Sequence, residues 1–197
     1  FGTSIDSIFS QFSEPIAAAS IAQVHFAKIK SSNTEIDVAV KVLRPEIEKI
    51  INQEMERLEW LTTFMENFTE FQRLRPNSII KKAKEVIKFE LDLRYEAAAA
   101  SELSENTNMD ESFYVPKVYW DKVTQKILTM EKIIGVPADK IDELNEKKVN
   151  KKQAAENLII NFLRQSIRDG YFHADLHQGN LFLNPKGKLL AVDFGIM

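Results

Sequence analysis

The stretch Phe172-His173-Ala174-Asp175-Leu176-His177-Gln178-Gly179-Asn180, with Asp193-Phe194-Gly195 soon after it, sets the tightest limit on how this chain can fold. An apolar run, Leu181-Phe182-Leu183, follows Asn180 directly. Then come the turn residues Asn184-Pro185-Lys186-Gly187 and a second apolar run, Leu189-Leu190-Ala191-Val192, ending on Asp193. Two short apolar runs around a Pro/Gly turn read as a hairpin. Such a hairpin returns Asp193 to the side of Asp175 and Asn180, so that two carboxylates and an amide oxygen converge. Hard oxygen donors grouped in this way suit Mg²⁺ carrying a nucleotide's phosphates. His173, Asp175 and His177 also alternate, and on a strand they would share a face able to bind a transition metal. No third cluster of strong ligands elsewhere in the sequence supports that alternative.

The chain has 197 residues, enough for one domain or two small lobes around a cleft. Its 44% hydrophobic and 28% charged content is that of an ordinary globular protein, and a net charge of −3 gives no sign of a nucleic-acid partner. With no Cys, disulfides, thiolate catalysis and Cys-based zinc sites are excluded. No signal peptide opens the chain and no run of 18 apolar residues offers a transmembrane helix. The first residue is Phe1 and the last, Met197, falls two positions after Gly195, so both ends read as cut from something longer.

Taken in order, Ile5, Ile8, Phe9 and Phe12 predict an amphipathic helix within residues 1–14, stopped by Pro15. Val24 to Ile29 and Ile36 to Leu43 predict a hairpin turning at Ser31-Ser32-Asn33, with an Ala-rich loop at its mouth. Glu46 to Asn67 carries a helical apolar stripe, and one further helix is predicted over about residues 78–106. That helix contains Glu90 and Glu96, one of which can meet Lys41. Tyr114 to Trp120 and Lys126 to Glu131 predict a second hairpin. The segment 132–137 reads as a crossover between lobes, where backbone groups near Glu131 and Ile133 could hold an adenine edge beside Met130. A short helix over 138–145 and a strong amphipathic helix over 150–169, closed by Gly170, complete the pattern.

Asp175 with Asn180 five positions on, a later Asp-Phe-Gly, and Val38-Ala39-Val40-Lys41 together match the phosphoryl-transfer signature of kinase-like folds. The expected class is α+β: a two-lobed, protein-kinase-like fold with a small β-sheet lobe, long helices, and a large lobe truncated after Asp-Phe-Gly. The expected division is a small lobe over 1–131, a hinge over 132–137 and a partial large lobe over 138–197.

Over nearly its whole length the chain resembles the UbiB family of atypical protein-kinase-like proteins tied to ubiquinone biosynthesis. The resemblance rests on Pro15-Ile16-Ala17-Ala18-Ala19-Ser20-Ile21-Ala22-Gln23-Val24-His25, on Glu90-x-Asp92 with Glu96-Ala97, and on His173 to Asn180. It implies ATP and Mg²⁺ as cofactors. Ile16, Ala17, Ala18, Ala19, Ser20, Ile21, Ala22, Gln23 and Val24 would cover the phosphates. Lys41 would contact them, paired with Glu96. Asp175 would be the catalytic acid, and Asn180 and Asp193 the metal ligands. Glu90 and Asp92 resemble the family's Glu-x-Asp element, whose partner there is a lysine of an N-terminal Lys-x-Gly-Gln helix; no Lys-x-Gly-Gln occurs in this sequence. A lipid or quinone-intermediate acceptor, quinone-biosynthesis proteins as partners, and a cytoplasmic location peripheral to the membrane are further implications.

Residues 3–134 contain no Gly, so the phosphate loop lacks the dihedral freedom that a kinase loop draws from Gly. Its amides can still face phosphate oxygens as a nest. The sequence therefore predicts an altered phosphate pose. It favours slow ATP hydrolysis, or transfer to a small or lipid acceptor, over phosphorylation of a protein, where in-line geometry is demanding. Two other readings stand beside this: a nucleotide-binding pseudokinase serving a lipid-biosynthetic complex, and a small-molecule kinase of the aminoglycoside/choline type, which shares the His-x-Asp-Leu-His-x-Gly-Asn pattern.

Overall fold

Two four-stranded sheets carry the β structure, and the candidate motifs lie where they face each other. The structure is a computed structural model that describes residues 4–18, 20–31, 34–68 and 73–197. After a single turn of helix, α1 (Ile5–Ile8), come β1 (Phe9–Ala18), β2 (Ala22–Ser31) and β3 (Thr34–Leu43). Three helices follow, α2 (Ile47–Met65), α3 (Pro76–Glu90) and α4 (Leu93–Asn106). Then come β4 (Phe113–Tyr114), β5 (Ile127–Glu131) and β6 (Val136–Pro137). The chain ends with α5 (Ile141–Glu146), α6 (Lys151–Leu163) and the hairpin β7 (Leu181–Leu183) and β8 (Leu189–Ala191). The first sheet has the order β1-β2-β3-β5, antiparallel throughout; the second has the order β4-β8-β7-β6.

The first sheet buries apolar residues on both faces, and β3 shows how its sequence divides them. Val38 and Val40 are fully buried with Phe9, Ala27 and Ile29 in a small core on the far side. Leu43, with Leu128 and Met130 of β5, packs into the main core with Leu93, Ala97, Ala100 and Leu103 of α4. Small residues at 97 and 100 let α4 lie close against the sheet, and this sets the distance from Glu96 to β3.

Several elements differ from the sequence expectation, each for an identifiable reason. Residues 9–18 form a strand running through Pro15, and among the described residues before it only Ile5–Ile8 is helical. Pro15 is tolerated because β1 is an edge strand, where a missing N–H need not break a ladder. Three register shifts interrupt its pairing with β2, which explains why its apolar residues are not spaced by two. The helix expected over 78–106 is two helices, broken at Leu91-Asp92. Asp92 is the N-cap of α4, its carboxylate accepting from the Arg94 N–H at 3.1 Å, while the Leu93 N–H reaches Gln125 O. The second expected hairpin reduces to isolated bridges, Val118 with Met130 and Thr124 with Ile127. Its two halves serve different sheets: β5 pairs with β3, and β4 runs parallel to β8. The last turns of the 150–169 helix widen into a π-helix over Arg164–Asp169. The short helix begins at Ile141 rather than 138. Ser32 and Asn33 of the expected turn lie outside the described residues.

The crossover into the second sheet passes Gly135, where a Cβ would stand 2.7 Å from Leu190 Cδ1 and 3.1 Å from Phe182 Cβ. Only Gly lets the connection press this closely on the β7–β8 hairpin. Among the described residues no helix is long and apolar enough to cross a membrane.

Candidate functional site

Lys41 is the centre of the cleft. The antiparallel register of β3 with β2 and β5 places it between Val24 and Leu128. Its Nζ donates to both carboxylate oxygens of Glu96 at 2.8 and 2.9 Å and to Asp193 Oδ1 at 3.3 Å. Glu96, on the first turn of α4, is buried, and its Oε1 also accepts the Phe194 N–H at 3.3 Å. The four groups tie β3, α4 and the Asp-Phe-Gly turn into one cluster. Burial alone would push the Lys41 ammonium down. The Glu96 and Asp193 carboxylates together outweigh it and hold Lys41 above its ordinary value. Burial, with Asp193 adding to it, holds Glu96 above the usual carboxylate range despite Lys41.

The second half of the site rests on the loop from His173 to Asn180. Asp175 and Asn180 are joined by the Asn180 Nδ2, which donates to Asp175 O at 3.1 Å and to Asp175 Oδ2 at 3.4 Å. The Val192 N–H reaches Asn180 O at 2.9 Å, so the hairpin brings Asp193 back beside Asn180. Asp193 itself has φ 63°, a left-handed backbone that costs a non-Gly residue of order 1 kcal/mol and concentrates at functional sites. His173 is buried, and its ring packs 5.5 Å from that of Phe194. Its Nδ1 accepts the Asp175 N–H at 3.3 Å. Burial pushes the ring below the ordinary histidine value, with the Val192 and Asp193 main chain opposing. His173 therefore packs beneath the loop, with Nδ1 engaged by the Asp175 N–H rather than turned to the cleft. Among the described residues no group of three or more His, Asp or Glu side chains could hold a metal ion.

Two cavities, each of about 360 Å³, meet at Lys41, Glu96 and Asp193. The first is walled by Ile16, Ala17, Ala18 and Val24, by Met130, Glu131 and Ile133, and by Asn180. Among the described residues the Ile133 N–H and C=O have no partner, which leaves them open to a base edge. The Glu131 N–H, by contrast, is taken by Lys117 O, and its carboxylate by the Tyr114 hydroxyl at 2.5 Å. The second cavity holds Ser20, Ile21, Glu90, Asp92 and Asp175. Ala22 is buried in the core, and Gln23 pairs with Val42 and Ala18; neither lines the two cleft cavities. Ala19 lies outside the described residues. Asp92 is spent on capping α4 and on the Arg94 guanidinium, which holds its carboxyl below the usual range.

One residue that the motifs did not flag supports the loop from below. Gln165, fully buried on the π-helix, accepts the His173 N–H on Oε1 at 3.3 Å, and its main-chain O takes the Tyr171 N–H. A lone Gln on an amphipathic helix carries no sequence signal. In the structure it is buried together with Asn157 and Asn161, which precede it at intervals of four residues.

A lysine held by a helix glutamate and facing an Asp-Phe-Gly turn across a cleft, beneath an antiparallel sheet, defines a kinase-like protein. The chain belongs to the ABC1 atypical kinase-like domain family, whose pattern it matches over residues 1–197. It is 39% identical over its whole length to proteins named "Probable protein kinase UbiB" from Pseudomonas paraeruginosa and Pseudomonas entomophila. It spans 37% of the length of these relatives. A solved Mycobacterium tuberculosis structure, described as the complex of Rv3197 with erythromycin, superposes with a TM-score of 0.77 at 28% identity, covering 98% of this chain and 48% of that one.

Proposed function

We propose that this chain forms the nucleotide site of a UbiB-type atypical kinase or ATPase, which binds Mg·ATP and supports ubiquinone biosynthesis by ATP hydrolysis or phosphoryl transfer. The observation that carries the reading is the Lys41 ammonium, held 2.8 Å from Glu96 and 3.3 Å from Asp193 where two cavities join. The cavity under Ile133 suits a flat base, and Lys41 stands at its end to meet phosphate oxygens. The donor set also fits Mg²⁺, which takes one or two protein oxygens and completes its shell with phosphates and water. The Asn180 Nδ2 is engaged by Asp175, which leaves Oδ1 as its ligand atom beside the Asp193 carboxylate. When bound, the metal would neutralise phosphate charge.

In this reading Lys41 orients the phosphates and Glu96 orients Lys41. Asp175, with its main chain fixed by His173 and Asn180, accepts the proton of the attacking hydroxyl or water. The acceptor is a small or lipid molecule, a quinone intermediate being the one the family suggests. The partners are then proteins of quinone biosynthesis, with the chain cytoplasmic and peripheral to the membrane.

A second reading, a pseudokinase that binds nucleotide without turnover, is favoured by the covering loop. Ala17 and Ala18 are paired with Val24 and Gln23 in the β1–β2 ladder, and so are not free to close over phosphates as a Gly-rich loop does. The test is thermal shift with ATP and ADP, with and without Mg²⁺, on the chain and on Lys41→Ala. A Mg²⁺-dependent rise in Tm that Lys41→Ala abolishes supports a nucleotide site. No rise with either nucleotide overturns it. Phosphate release by the wild type then separates the enzyme from the pseudokinase.

A further inference from the structure

The far side of the first sheet holds a third cavity, unrelated to the Lys41 cleft. It has a volume of about 280 Å³ and is walled by Ile5, Ile8, Phe9 and Phe12, by Val40, Val42 and Ile127, and by His25. All but one of these residues are apolar. The exception is oriented by chemistry that can be read: His25 Nδ1 lies 2.9 Å from Ser13 O. A carbonyl only accepts, so Nδ1 carries the proton, and in the neutral ring Nε2 is a bare acceptor. Among the described residues His25 Nε2 has no partner. Phe12, tilted against the imidazole at 4.7 Å, keeps the ring in place beside the cavity.

A mostly apolar hollow with few polar groups in its wall is the ordinary form of a small-molecule site, and here His25 is the polar member of the wall. We propose that this chamber binds a small, flat, apolar molecule carrying one hydrogen-bond donor, which the donor gives to His25 Nε2. The volume suits a ligand of about ten heavy atoms, at the lower edge of the usual pocket range. The site is placed to be felt in the cleft. Val40 and Val42 flank Lys41 on β3, and His25 lies between Val24 and Phe26, which face the first cleft cavity. β1 contributes to both sites: Phe9 and Phe12 wall the chamber, and Ile16, Ala17 and Ala18 wall the cleft, with register shifts between the two sets.

The test needs no nucleotide, so its outcome is independent of the reading of the cleft. Indole, with one N–H donor, is titrated against indene, its donor-free counterpart, by ligand-observed NMR on the wild-type chain, on His25→Leu and on Val42→Phe. One net hydrogen bond corresponds to about a fivefold preference for indole. That preference is expected in the wild type and is expected to vanish in His25→Leu. Both ligands should lose binding in Val42→Phe, which fills the chamber. Equal affinity for indole and indene in the wild type overturns the assignment, as does retention of the preference in His25→Leu. Should either variant fail to fold, intermolecular nuclear Overhauser effects between indole and the Phe9 and Phe12 rings in the wild type decide the question: their presence supports the site and their absence during indole binding refutes it.

Discussion

Replacing Lys41 with Met tests the central cluster most directly, because it removes the cation and keeps the shape. Glu96 is only 6% exposed, and in the variant it would keep one donor, the Phe194 N–H. Removing one partner of a buried ion pair costs about 3–5 kcal/mol. The lower end applies here, because Glu96 can escape by protonation, so about 3 kcal/mol is expected at pH 8. For a chain of this size 1 kcal/mol corresponds to roughly 2–4 °C, and the Tm should fall by about 6–12 °C. The pH dependence has a definite sign. Glu96 already sits above its ordinary value, and loss of Lys41 raises it further. A carboxyl whose folded pKa is raised contributes stability at low pH that is lost as pH rises through that pKa. The deficit of Lys41→Met should therefore shrink between pH 8 and pH 5. In the wild type, Lys41 is raised in its turn, so its contribution is complete below the ordinary lysine value and is lost only in strong alkali. The assay is urea and thermal unfolding of the wild type, Lys41→Met and Lys41→Met/Glu96→Gln. The double variant should recover at least half of the loss. A deficit that is equal at pH 5 and pH 8, or a double variant no more stable than the single, would refute the argument that an unpaired buried carboxylate is the cause.

Two further predictions concern the supports of the site. Asp92→Ala should cost about 1 kcal/mol by loss of the α4 cap, measured by urea unfolding. Asp92 is held low by Arg94, so the difference from the wild type should persist above the ordinary aspartate value and disappear as pH falls through the lowered one. Gln165→Met should leave the His173 N–H buried without its acceptor, at a cost of about 1–3 kcal/mol, and should speed amide hydrogen exchange at His173 more than in β3.

What could be read from the sequence was the chemistry that lies close together along the chain. The β7–β8 hairpin was legible because its turn residues and apolar runs are contiguous, and β3 because its branched residues surround Lys41. The placement of Glu96 rather than Glu90 against Lys41 was not legible from residues alone. It depends on a helix break at Leu91-Asp92 that is stabilised by Gln125, over thirty positions away. The start of β1, from Phe9 up to Pro15, reads as the end of a helix because bulges space Phe9 and Phe12 three apart, which imitates a helical face. The partnership of β4 with β8 could not be inferred locally, since parallel strands meet only through distant chain. Gln165 was invisible for a similar reason: its role comes from burial beneath a loop, and burial is decided by the whole fold.

The bulged edge strand has a consequence for how this sequence can change. Between Phe12 and Ile16 the strand switches the side to which it presents its residues, and it does so by spare length rather than by residue type. The segment from Phe12 to Ala17 is two residues longer than the β2 stretch it faces, so deleting one residue there would leave one register shift and displace the Ile16–Ala18 wall, whereas many substitutions would leave the spare length intact. The segment is thus constrained in its count of residues more tightly than in its spelling.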